Sequence, residues 1–163
     1  MSERRKIVVM GGGTGTFVVL SGLKHYLLEL TAVVTMADTG GSARLERDRY
    51  GLLPNSDVRK ALIGLSEING RRGGLLRDLL SYRFDRGEMA GMTFGNLLLV
   101  VLSRVLGSQE EAIARAGEIL RIKGRVLPVT MDRVDLVAKY EDRSTVTGEH
   151  LIDEPEHDGK LKI

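Results

Sequence analysis

Lys6-Ile7-Val8-Val9-Met10, followed directly by Gly11-Gly12-Gly13-Thr14-Gly15, is the stretch on which the fold turns. The first five residues make a short β-branched run that stops at glycines, the pattern of a strand buried in a parallel sheet. From Thr16 to about Leu28, the residues Phe17, Val18, Leu20, Leu23, Tyr26, Leu27 and, just beyond, Leu30 recur at helical spacing, and Thr14 or Thr16 is placed to cap the start. Thr31 to Thr35 (TAVVT) is a second strand. Strand, glycine loop, helix and strand in this order make a crossover unit, and such units are right-handed in nearly all known structures. The opening therefore predicts an α/β fold on a mainly parallel sheet with helices on both faces.

Outward from this unit, a second glycine-containing loop runs from Met36 to Ser42. Pro54 opens a segment whose Val58, Leu62, Ile63, Leu65 and Ile68 predict a helix capped near Asn55 or Ser56. Arg71 to Gly74 reads as a turn, Leu75 to Phe84 as a helix and Thr93 to Leu106 as a central buried helix. Ser108 caps a further helix, Gln109 to Arg121, with Glu110 and Glu111 where the dipole favours acidic side chains. Arg125 to Thr130, Leu136 to Glu141 and Ser144 to Ile152 read as strands, the last two forming a carboxyl-terminal pair. Residues 1–152 are thus expected to be one nucleotide-binding domain, with 153–163 a poorly anchored acidic tail or a truncation point.

At 163 residues the chain has the length of one domain, and 42% hydrophobic against 28% charged residues is a globular balance. Aromatic residues are scarce, so the core must be aliphatic. With no cysteine, neither disulfides nor thiolate metal sites can form, which fits a reducing compartment and a cytoplasmic protein. The apolar runs are too short to span a bilayer, and the first residues read as a basic lead into a strand. A net charge of +2 without clustered Lys and Arg lacks the footprint of a nucleic-acid binder.

Gly11 to Gly15 lies between a strand and a helix, where glycines let backbone approach a ligand and the helix amides favour a phosphate. Thr16 replaces the third glycine of a dinucleotide fingerprint, and no Lys-Ser/Thr pair follows as in a Walker loop. A tight turn without a ligand is the plainer reading. Ala37-Asp38-Thr39-Gly40-Gly41-Ser42 follows the second strand, and in an open parallel sheet ligands bind at that edge. Asp38 there suits a ribose hydroxyl or a hard cation such as Mg²⁺, or else caps the next element. Asp57 and Arg59 open the helix after Pro54, where Asp57 can join Asp38 at a metal and Arg59 can clamp a phosphate, or where Asp57 merely compensates the dipole. Asn96, after Gly91-Met92-Thr93-Phe94-Gly95, is a candidate for a base or sugar contact or a simple cap.

These segments, with Gly124 to Thr130, resemble in order and spacing the hallmark set of the YvcK/CofD family: a GGGTG loop, an A-D-D/S-G-G-S loop, an L-P-P-G-D-x-R segment, an H-S-F-G-N helix start and an R-G-R-V-L-P-x-T strand. The resemblance implies a Rossmann-like fold and two activities. One branch binds UDP-sugars such as UDP-N-acetylglucosamine and acts in carbon metabolism, cell-wall precursor supply and cell shape. The other transfers a 2-phospho-L-lactyl group from a nucleotide carrier to a deazaflavin, with a divalent metal. By motif the chain sits with the UDP-sugar branch.

Carried over by position, Gly12, Gly13 and Thr14 would contact phosphates, Asp38 and Asp57 would stand on the metal side, and Gly41, Ser42, Arg59 and Asn96 would line the crevice. Thr39, Asn55-Ser56 and Met92-Thr93 depart from the family pattern, losing one carboxylate and a histidine. Those losses weaken an enzymatic reading more than a binding one, and no residue is assigned a catalytic role. A third reading, an NAD-linked oxidoreductase, draws on the first loop and Asp38 but is opposed by Thr16. Family members are longer than this chain, so a missing carboxyl-terminal half, or self-association over an uncovered face, is expected.

Overall fold

The apolar run after Arg4 forms strand β1, Arg5–Gly11, in a computed structural model that describes residues 4–37, 50–67 and 70–153. Helix α1, Gly13–Leu23, returns the chain to β2, Leu28–Val34, which pairs in parallel with β1 from Arg5↔Leu28 to Gly11↔Val34. Strand β3, Arg125–Pro128, adds in parallel on the other side of β2, giving the order β1-β2-β3. Between β2 and β3 come helices α2, Ser56–Leu65, α3, Gly70–Ser81, α4, Phe94–Leu106, and α5, Gln109–Ile119. A separate antiparallel pair, β4 Val137–Lys139 and β5 Thr145–Thr147, is followed by the short helix α6, Glu149–Asp153.

Register fixes which side chains share a face, because successive residues of a strand alternate. Ile7 and Val9 stand beside Leu30 and Ala32, and Ala32 beside Val126. This face meets Leu20, Val58, Leu62, Leu65, Ile113 and Ala116 in the aliphatic core. The opposite face carries Val8, Met10 and Leu127, which are 59%, 77% and 40% exposed. β1 is also an edge strand.

Several element boundaries differ from the sequence expectation. α1 stops at Leu23 instead of Leu28, and β2 begins at Leu28; Tyr26 and Leu27, counted there as helix face, are exposed in the connecting bend. No threonine caps α1; Gly12 occupies the N-cap, and Thr16 Oγ1 donates back to the Gly12 carbonyl at 3.0 Å. Arg71 to Gly74 lies inside α3, which ends at Ser81 because Phe94 N–H donates to the Tyr82 carbonyl and Phe84 N–H to Met92, drawing residues 82–94 into a closed loop. α4 keeps its start, with Thr93 Oγ1 accepting from Asn96 N–H, but it is buried along one stripe only, since Val101 and Val105 are 50% and 76% exposed. Ser108 caps α5 as expected, although the helix ends at Ile119 and Arg121 turns into positive φ (48°). β3 ends at Pro128 rather than Thr130, and β4 is limited to Val137–Lys139. The expected strand through Ile152 breaks at Gly148 (φ 109°), whose carbonyl accepts the Leu151 and Ile152 N–H groups of α6. Residues 154–163, expected as a tail, lie outside the described residues.

Candidate functional site

The three parallel strands end at Gly11, Val34 and Pro128 on one edge, and the GGGTG loop turns there into α1. Gly13 has φ +67°, a left-handed conformation that favours glycine, while the space beside it is open. At Gly12 the reason is close approach: a Cβ would lie 2.1 Å from Asp57 Oδ2 and 2.8 Å from Thr35 Cγ2. No side chain fits there.

What presses on Gly12 is the first turn of α2. Asp57 is 8% exposed, and its Oδ1 accepts the Gly13 N–H at 2.8 Å and the Lys60 ammonium at 3.2 Å. A carboxylate from 44 residues away thus anchors the loop and holds its backbone against α2. The first-turn amides of α1 at Thr14 and Gly15 have no carbonyl within the helix to pair with, and the helix dipole makes this end positive.

Beside Thr14 opens a cavity of about 200 Å³, whose charged lining is Arg59, Lys60 and Arg77 and whose apolar wall includes Phe17 and Ile63. Arg59 is held from behind. Its Nε donates to Asn96 Oδ1 at 2.9 Å and Nη1 to the Leu80 carbonyl at 3.4 Å. Asn96 is wholly buried, and its Nδ2 donates to Ser56 Oγ at 3.4 Å. Gly95 permits this seating, because a Cβ there would lie 2.6 Å from both Arg59 Cδ and the Leu80 carbonyl oxygen. Asn55 is also wholly buried and accepts from Gln109 Nε2 at 3.0 Å, while Gln109 also bonds both backbone groups of Leu53 at 2.9 and 3.0 Å.

Of the residues singled out in the sequence, Gly12, Gly13 and Asp57 meet in one contact, and Arg59 with Asn96 forms a second on the same helix start. Thr14 joins Arg59 at the cavity. Gly11 ends β1, and Gly15 lies in α1 with open space beside it. Asp38, Thr39, Gly40, Gly41 and Ser42 lie outside the described residues. Lys60, Arg77 and Gln109 were not anticipated as site or support residues; Lys60 follows Asp57 by three positions, the helical spacing that lets the two side chains meet.

For Mg²⁺, the described residues offer Asp57 alone, and its Oδ1 already faces the Lys60 ammonium. Among the described residues there is no group of three or more His, Asp or Glu side chains that could hold a metal ion. The described arrangement suits a phosphate instead: helix amides, a rigid loop and three cations around one opening. No helix among the described residues is long and apolar enough to cross a membrane.

Comparison with known proteins bears on these segments together. The family described as 2-phospho-L-lactate transferase CofD matches residues 7–163, a span that takes in the loop, Asp57, Arg59 and Asn96. The chain belongs to the CofD family. Among curated proteins that it resembles, the gluconeogenesis factor of Bacillus subtilis is 37% identical over 163 residues, covering 99% of this chain and 50% of that protein. The gluconeogenesis factor of Listeria innocua is 43% identical over 148 residues, covering 90% and 45%. A crystal structure of a UPF0052 family member from Bacillus halodurans superimposes with a TM-score of 0.88 at 36% identity, covering 96% of this chain and 49% of that one. That likeness bears out the Rossmann-like α/β fold expected from the sequence. This CofD-family chain therefore spans about half the length of these three relatives.

Proposed function

We propose that this chain is the phosphate-binding half of a nucleotide-sugar-binding regulator of the gluconeogenesis-factor type, taking a ligand of the UDP-N-acetylglucosamine class in the cytoplasm and serving carbon metabolism, cell-wall precursor supply and cell shape. The observation that carries the reading is the Asp57-anchored Gly12-Gly13 turn at the start of α1, opening onto the cavity of Arg59, Lys60 and Arg77. Backbone amides and guanidinium groups recognise a phosphate without any catalytic side chain. The names of the Bacillus subtilis and Listeria innocua relatives support the regulatory branch. Mg²⁺ belongs to the proposal as a companion of the ligand phosphates, with Asp57 and Asp38 as its candidate carboxylates.

Transfer of a phospholactyl group is the second reading, favoured by the description of the matching family. In it, Arg59 and the α1 amides would stabilise charge developing on the transferred phosphoryl group. A thermal-shift titration with UDP-N-acetylglucosamine, GDP, GTP and NAD, with and without Mg²⁺, separates the readings. The regulatory reading expects a rise in midpoint with the UDP-sugar that Gly13→Asp removes, since the substitution sets a carboxylate at the phosphate end of the helix. Selective response to a guanine nucleotide, with a phospholactylated product in the presence of a deazaflavin alcohol, would replace it by the transferase. A response to NAD alone would sink both.

We further propose that the exposed sheet face is covered by the carboxyl-terminal half that the longer relatives carry. Parallel sheets are ordinarily covered on both faces, and Val8, Met10 and Leu127 offer an apolar surface for that half.

A further inference from the structure

The cavity beside Thr14 has a neighbour. A second cavity, about 240 Å³, lies farther along α1 and shares Phe17, Ile63 and Arg77 with the first. The two make one groove between α1, α2 and α3. Its far end is lined by Lys24, His25 and Arg77, with Ser21 and Ser66 as polar neighbours.

The charge of this groove has one sign. Neither cavity has a carboxylate among its described lining residues. The nearby acids are engaged or turned elsewhere: Asp57 pairs with Lys60, Glu67 pairs with Lys123 at 3.0 Å, and Asp78, next to Arg77, is exposed and outside the lining.

Two cations at the far end are seated in ways that leave donors available. Lys24 Nζ donates one bond, to the Ser66 carbonyl at 2.7 Å, of the three that an ammonium can make. The Arg77 guanidinium lies over the Phe17 ring at 5.1 Å, and stacking of this kind leaves its in-plane N–H edge for an acceptor. Burial, and after it the charges of Arg77 and Lys123, push the Lys24 ammonium below its ordinary pKa. Like charges gathered in a concave, partly desolvated place repel one another, and an anion between them relieves that repulsion.

We infer that the far end of this groove, between Lys24 and Arg77, binds a compact multivalent anion, the phosphate or pyrophosphate group of a small metabolite, at a site separate from the GGGTG loop. The site needs no ligand at the loop, so its test stands apart from that of the nucleotide-sugar reading.

The probe is inorganic pyrophosphate at constant ionic strength, followed by amide chemical shifts of the whole chain. Saturable shifts are expected at Ser21, His25 and Ser66, persisting in Gly13→Asp and weakened at least tenfold in affinity by Lys24→Gln and by Arg77→Gln. Shifts confined to Gly12–Thr16 and abolished by Gly13→Asp would put the anion at the loop and overturn the inference. Non-saturating shifts would overturn it as well. A second readout needs no variant: the Lys24 ammonium, titrated through its side-chain resonances, should move to higher pKa with pyrophosphate bound. An unchanged Lys24 titration at saturating pyrophosphate rules the site out.

Discussion

Gly12 is the residue at which the loop and α2 are fitted to each other. Gly12→Ala would drive a methyl group into Asp57 Oδ2 and Thr35 Cγ2, and an overpacked position of this kind costs about 1–3 kcal/mol, read as a lowered midpoint in urea. Asp57→Ala should cost about 1.5–3 kcal/mol by stripping Gly13 N–H and Lys60 of a charged acceptor. Because the two changes share one contact, their effects should fall short of additive, the double variant losing less than the sum. Lys24 gives a pH prediction. Its folded-state pKa is lowered, so the unfolded chain holds this proton more tightly; its contribution to stability should rise with pH between the folded value and the unfolded 10.5. Comparing urea midpoints of the wild type and Lys24→Gln through the alkaline range checks the sign. The loop itself was legible, since five residues between a strand and a helix carry a local pattern. Its anchoring by Asp57 was not, because a contact across 44 residues leaves no periodicity.

Among the elements, one cap was read in full and most ends were missed. Ser108 accepts the bond that its type predicts, whereas no threonine caps α1, Asn55 holds the N-cap of α2 without a side-chain cap bond, and α4 is capped by Thr93 rather than Asn96. Ser108→Ala should therefore cost about 1 kcal/mol by thermal or urea unfolding. Asn96→Ala should cost more, about 1–3 kcal/mol, because it strips a buried acceptor from Arg59 Nε while removing a donor from Ser56. If the Asn96 variant were no worse than the Ser108 one, the Arg59 support would be ornamental. Helix ends escaped for physical reasons: Tyr26 and Leu27 fit the apolar period of α1 but sit in a bend, and Gly148 turns a β-rich run into α6. The apolar length of α4 suggested full burial, whereas only the stripe through Asn96, Leu99, Val100 and Ser103 is buried.

For the molecule as a whole, the helices and the sheet make a core on one side and leave Val8, Met10 and Leu127 on the other. Adding a separately produced carboxyl-terminal half of the Bacillus subtilis relative should form a 1:1 complex, seen by light scattering, and raise the unfolding midpoint. Met10→Lys with Leu127→Lys should weaken that complex while leaving the chain folded. Assembly of this chain with itself at the same face, abolished by the same pair of substitutions and unaffected by the added half, would identify a second copy as the partner. The parallel α/β class was legible in the opening thirty-odd residues, but the face left bare depends on how β3 joins β2, which no local pattern announces.

That late joining has a consequence in time. Arg125 of β3 bonds Thr31 of β2 across 94 positions, so β2 has no partner on that side until nearly the whole helical layer has been made. At roughly 5–20 residues per second of ribosomal synthesis, the delay is on the order of 5–20 seconds. During it the nascent chain displays an open, β-branched strand edge, and Val33 and Val34 are most vulnerable to a wrong neighbour before the protein is complete.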